Sequence, residues 1–145
     1  MRLRPVRLVS AVSVGCLLAA CGDGVADPGE PVLLGQFGTA EWPVELLATH
    51  AGVELVQPCG GYFVADRPAA LQPDGDFRVR GRSFPGGLAR GSDGATLGGR
   101  LTLEGGVETV TLSVIPDGSG AVADLLVHTL RRSEHYTGPE LPCAL

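Results

Sequence analysis

The feature that most restricts this chain is a repeating unit of short apolar run and glycine turn. Its clearest instance runs from Leu97 to Val114. Leu97, Leu101 and Leu103 alternate with Arg100, Thr102 and Glu104. Gly105-Gly106 then reverses the chain, and Val110, Leu112 and Val114 alternate with Thr109, Thr111 and Ser113 on the return. Period-two alternation on both sides of a Gly-Gly pair predicts an antiparallel hairpin with one buried face.

The same unit recurs in both directions. Val32 to Thr39 reads as a first strand, and Tyr62 to Ala65 as a short one after Cys59-Gly60-Gly61. Val44 to Thr49 and Val53 to Gln57 are two runs joined by His50-Ala51-Gly52. Pro73-Asp74-Gly75 leads into Asp76 to Arg80, with Phe77 and Val79 on one face. Ser83 to Gly94 is glycine-rich and reads as a loop. Asp117-Gly118-Ser119-Gly120 is a further turn before Ala121 to Leu130. Two segments admit a second reading. Residues 43–51 could form a short helix starting at Pro43 and stopping at Gly52, and Val122, Leu125, Leu126 and Leu130 fit a helical face. Regular spacing between turn signals favours strands in both. The expected fold is all-β: a small antiparallel meander, as a curled sheet or an up-and-down barrel, over residues 32–145.

What precedes that domain is of another kind. Arg2, Arg4 and Arg7 precede an apolar stretch from Leu8 to Ala20, too short for a stable membrane span of roughly 20 residues and suited to a signal peptide. Leu18-Ala19-Ala20-Cys21 has the order of a bacterial lipobox, so residues 1–20 are expected to be cleaved and Cys21 lipidated. An ordinary secretory signal and an uncleaved anchor are the alternatives. A diacylglycerol on Cys21 brings two chains, enough for stable anchoring. Residues 21–31, rich in Gly, Pro and Asp, read as a flexible tether. The expected address is the cell envelope, outside the cytoplasm. Gly22 rather than Asp after Cys21 favours the outer membrane where the organism has one.

Without the signal, the charge moves from −5 to about −8, with every basic residue an arginine. Such a balance argues against nucleic acid as a partner. Cys16 leaves with the signal and Cys21 carries lipid, so Cys59 and Cys143 remain as an even pair in an oxidising compartment. A disulfide between them closes a loop of about 85 residues, stabilising by roughly 4–5 kcal/mol in the chain-entropy model. Metal ligation and a redox pair are the rivals, and no C-x-x-C spacing supports either.

Several further pieces form a set: Gly35-Gln36-Phe37-Gly38, Val53-Glu54-Leu55 leading to Cys59-Gly60, the run from Leu71 to Gly81, Val110 to Val114, and a cysteine close to the C-terminus. Together they resemble a group of small uncharacterised secreted bacterial proteins, many of them predicted lipoproteins. The resemblance implies the compact β domain and the disulfide, and no activity. Members often carry His-Gly shortly after the first cysteine. Gly60-Gly61-Tyr62 stands there instead, so no role for that histidine carries over.

Candidate sites are few. Asp124 and His128 would share a strand face, with His135 seven residues on, as a carboxylate-oriented base or metal ligands. No third ligand or nucleophile is spaced with them, and a polar edge is the plainer reading. His50 belongs to a turn. Asp74-Gly75-Asp76 and Asp117-Gly118-Ser119-Gly120 are hairpin turns that lack the repeated ligands of a calcium loop. Nothing matches a nucleophile elbow, a phosphate loop or a zinc-protease helix, so no enzyme, cofactor or metal is expected. Trp42, Tyr62, Phe63, Phe77 and Phe84 could line a ligand groove or fill the core. Arg78, Arg80 and Arg82 should project from one face as a basic stripe able to dock an acidic ligand or partner, or simply as a solvated face. The expected function is a non-catalytic envelope module that binds a protein partner or a small ligand. The alternative is an inhibitor of a hydrolase such as a lysozyme or protease.

Overall fold

Alternation and turn chemistry produce nine strands: β1 (Gly35–Gly38), β2 (Glu45–Ala48), β3 (Val53–Val56), β4 (Tyr62–Ala65), β5 (Ala70–Leu71), β6 (Asp76–Phe84), β7 (Asp93–Glu104), β8 (Val107–Pro116) and β9 (His128–Arg132). The structure, a computed structural model, describes residues 29–86, 92–118 and 127–143. The signal, Cys21 and most of the tether lie outside these residues, as does Asp124. Every strand pairing is antiparallel, and neighbours in space are neighbours in sequence except where β4 pairs with β6 and β9 returns to β1. Those two pairings close an eight-strand up-and-down barrel, with β5 as an extra short strand on the first half of β6.

An eight-strand barrel has an interior just wide enough for side chains to fill. Here Phe37, Phe63, Phe77, Leu46, Leu55, Leu97 and Leu130 are buried inside it. Glycine makes room for two of the rings. A Cβ on Gly81 would sit 2.7 Å from Phe63 Cζ and 2.2 Å from the Val64 carbonyl oxygen, and one on Gly99 would sit 2.8 Å from Phe77 Cζ. Both glycines stand in the inward phase of their strands, at positions where the rings take up the missing volume.

Several boundaries differ from the sequence-based expectation. The first strand begins at Gly35 rather than Val32, because Gly35 at φ +131° breaks the extended run and Val32 makes only an isolated bridge to Ala70. β6 continues past Arg80 to Phe84 because Arg82, Ser83 and Phe84 pair with β4. β7 likewise starts at Asp93, so the Ser83–Gly94 loop shortens from both sides. Residues 43–51 hold a strand, not a helix. Thr49 Oγ1 accepts from the Ala51 and Gly52 amides at 3.2 Å and fixes the turn into β3. Of 121–130, only 127–130 fall among the described residues, and His128 to Leu130 are strand.

The alternation of strand direction sorts the connections. β1, β3, β6 and β8 end, and β2, β4, β7 and β9 begin, at one end of the barrel, the upper one. The lower end receives the chain before β1 and holds the tight β7–β8 turn, with Gly105 and Gly106 at φ +58° and +82° as a primed turn requires. After β9 the chain turns at Ser133 (φ +57°) and passes outside the barrel. Glu134 Oε1 accepts from the Ala40 amide at 3.2 Å, His135 lies 3.4 Å from Glu45, and Cys143 reaches the β3–β4 link as a disulfide with Cys59.

Candidate functional site

The two barrel ends are chemically different, and the inward phase of each strand shows why. At the lower end, Glu108 and Arg132 occupy inward positions on β8 and β9, in phase with Val110 and Leu130. They pair with each other, and Arg132 also donates to the Leu34 carbonyl at 2.9 Å while its guanidinium stacks 4.8 Å above the Phe37 ring. Leu33 and Ala69, both buried, close the remaining space. The lower end is sealed.

At the upper end the inward column finishes in polar groups, with the exposed Asp93, in register with Ser83, the acid among them. Gln57 follows Val53 and Leu55 in phase, Ser83 follows Phe77, Val79 and Gly81, and His128 precedes Leu130. Gln57 Nε2 lies 3.2 Å from His128 Nε2. These three side chains line the floor of a cleft of about 560 Å³. Trp42, Pro58, Phe84, Pro85 and Val127 supply its walls. Burial pushes the His128 pKa down, which favours the neutral ring. Trp42 is 55% exposed and Val127 62% exposed. An apolar mouth with a few convergent polar groups has the composition of a small-molecule site.

The disulfide lies beside the cleft and anchors the turn that carries Pro58. Cys59 sits in the left-handed region (φ 61°, ψ 29°) inside a 3-10 turn at Pro58–Gly60. Gly86 lies so close that a Cβ there would stand 2.2 Å from the Cys59 carbonyl oxygen. The turn that carries Pro58 and the chain that carries Pro85 are thereby brought side by side at the cleft.

The residues singled out from the sequence distribute unevenly around this mouth. Trp42 and Phe84 line it, whereas Phe63 and Phe77 fill the core, and Tyr62 packs on Phe84 with ring centroids 6.0 Å apart. His128 is in the mouth, but His135 lies outside the barrel beside Glu45. Among the described residues, no three His, Cys, Asp or Glu side chains stand together as metal ligands. His50 is exposed in the β2–β3 turn.

Arg78, Arg80 and Arg82 do share the outer face of β6, with Phe77 and Val79 buried between them. Two of them meet carboxylates of the same domain: Arg80 bonds Asp117 at 2.7 Å, and Arg82 reaches Asp66 at 4.0 Å. Arg78 adds to the positive field that, with the larger hydrogen-bond contribution of Arg100, lowers the Asp76 pKa. The stripe is therefore internally balanced by acids on adjoining elements.

Gln57, Ser83, Arg132 and Glu108 are polar residues of the two barrel ends that reading the sequence missed. Each stands in phase with an apolar strand face, and a polar residue in that phase was the available signal. Compared with protein families, curated proteins and solved structures, the chain finds no match.

Proposed function

We propose that the chain is a lipid-anchored protein of the bacterial cell envelope whose barrel is a non-catalytic binding module with its ligand site at the upper mouth. The observation that carries this reading is the open, mostly apolar cleft at one end of a barrel sealed at the other. The chain enters at the sealed end, where Leu33 donates to the Ala69 carbonyl and Leu71 to that of Pro31. A tether on that side leaves the mouth facing away from the membrane. A binding role is favoured over catalysis because the lining, among the described residues, offers no carboxylate to orient the His128 imidazole.

Two experiments test the two halves. Cys21→Ser in the full chain should abolish lipid labelling and release the protein from membranes. Retention of the variant through an uncleaved N-terminus would point to the anchor alternative. For the mouth, Trp42 is the only tryptophan of the chain. Envelope extracts should shift its emission in the mature domain and should fail to do so in Val127→Asp. An unchanged emission, or a shift that survives the substitution, removes the mouth as the site.

A second reading, inhibition of a lysozyme or protease, draws on the β7–β8 hairpin, whose tip presents Leu103 at 70% exposure. A projecting apolar residue beside a tight turn is a form that can enter an enzyme cleft. Inhibition by the wild-type domain that is lost in Leu103→Asp would favour it over the mouth.

A further inference from the structure

We propose that the mouth selects a neutral, lipophilic small molecule carrying one hydrogen-bonding head, the head on the Gln57–His128 pair and the body between Trp42 and Phe84. The inference rests on the mouth being the binding site, and adds the chemical class of its ligand.

Charge is the first discriminator. The chain holds 16 acidic and 11 basic residues, yet among the described residues no charged side chain lines this cleft. An anionic group entering it would lose water and meet no counter-charge among these residues, a large penalty in an apolar surrounding. The basic stripe does not help, because Arg80 and Arg82 are on the outer face and lean on Asp117 and Asp66.

The placement of polar groups is the second. The Gln57 amide nitrogen can only donate, so the His128 Nε2 beside it accepts, and the ring proton belongs on Nδ1. The pair still carries one acceptor, Gln57 Oε1, and one donor, the His128 Nδ1–H. That combination suits a single hydroxyl, amine or amide. A sugar needs polar partners around its whole rim, whereas here the walls are Trp, Phe, Pro and Val. A cleft of about 560 Å³ is also in the range that encloses one small molecule.

Matched fluorescent probes test this in the mature, disulfide-bonded domain. N-phenyl-1-naphthylamine is neutral with one N–H. 1-Anilinonaphthalene-8-sulfonate has the same rings and a fixed negative charge, and 1-phenylnaphthalene has the rings and no N–H. The neutral amine should bind one to one and quench Trp42, at least tenfold more tightly than the sulfonate at neutral pH. Gln57→Leu should weaken the amine about fivefold and leave 1-phenylnaphthalene unchanged. Val127→Arg, at an exposed position that does not threaten folding, should narrow or reverse the preference over the sulfonate.

Equal affinity for amine and sulfonate, both lost in Val127→Asp, would overturn the ligand class while leaving the mouth as a site. Equal loss of the amine and 1-phenylnaphthalene in Gln57→Leu would overturn the head-group assignment. No quenching of Trp42 by any of the three would overturn the site itself.

Discussion

Removing the bridge between Cys59 and Cys143 should be the most informative single perturbation of the fold. The two residues are 84 apart in sequence, so the cross-link deprives the unfolded chain of about 15 cal/mol/K, or about 4.5 kcal/mol at room temperature. The folded side contributes little. Between Glu134 and Cys143 the tail is largely exposed, and its side-chain contacts with the barrel run mainly through Glu134 and His135. Cys59 is also held in the left-handed region, and freeing it returns up to about 1 kcal/mol. The double variant Cys59→Ala/Cys143→Ala should therefore lose about 3–4 kcal/mol, a large part of the 5–15 kcal/mol typical of a domain. Urea unfolding followed through Trp42 measures it. The slope of the transition should rise, because an unlinked denatured chain exposes more surface. A loss below about 1 kcal/mol with an unchanged slope would refute the loop-entropy reasoning and mean that the denatured chain keeps this loop closed without the bridge.

Gly81→Val should destabilise by more than about 3 kcal/mol, since its side chain meets both the Val64 carbonyl and the Phe63 ring. Gly105→Asn, at a turn φ of +58° with nothing nearby, should cost under about 1 kcal/mol in the same thermal melts. Because burial lowers the His128 pKa, the unfolded state binds the proton more readily. The resulting stability is fully present above the ordinary histidine pKa of about 6.5 and is lost as pH falls through the depressed folded value. His128→Gln should flatten that acid limb in a stability-versus-pH series; an unaltered limb would assign it to other groups.

Local pattern carried much of this fold and little of its closure. Tyr62–Ala65 was delimited from the residues alone, and the inward placement of Phe77 and Val79 beside outward Arg78 and Arg80 followed from period two. The Gly105-Gly106 reversal and the Cys59–Cys143 pair were equally legible. Whether the sheet curls or closes depends on β4 skipping β5 to find β6, and on β9 finding β1. Those are pairings between edges, which alternation within a strand does not encode. Glycine misled where it served packing instead of turning. Gly94, Gly98 and Gly99 lie inside β7, and the Ser83–Gly94 stretch looked like loop although strand pairing holds both of its ends. The mouth was half visible. Trp42 and Phe84 stood out as aromatics, but no feature of the sequence separated them from Phe63, which the barrel buries.

The polar residues that break the inward phase explain why a filled barrel has one open end. Up-and-down topology gives both ends equal claim to a mouth, so side chains must decide between them. At the lower end the deciding residues are of opposite charge. Arg132 satisfies Glu108, a backbone carbonyl and an aromatic face at once, and its size makes a plug. At the upper end the corresponding positions hold Gln57, Ser83, His128 and the exposed Asp93, and among the described residues no ion pair joins them. The walls there are proline, tryptophan and valine, residues whose exposure is unfavourable in water and relieved by a ligand. The asymmetry also matches the direction of the chain: the end that must receive the N-terminal segment is the sealed one, and the end free of it stays open.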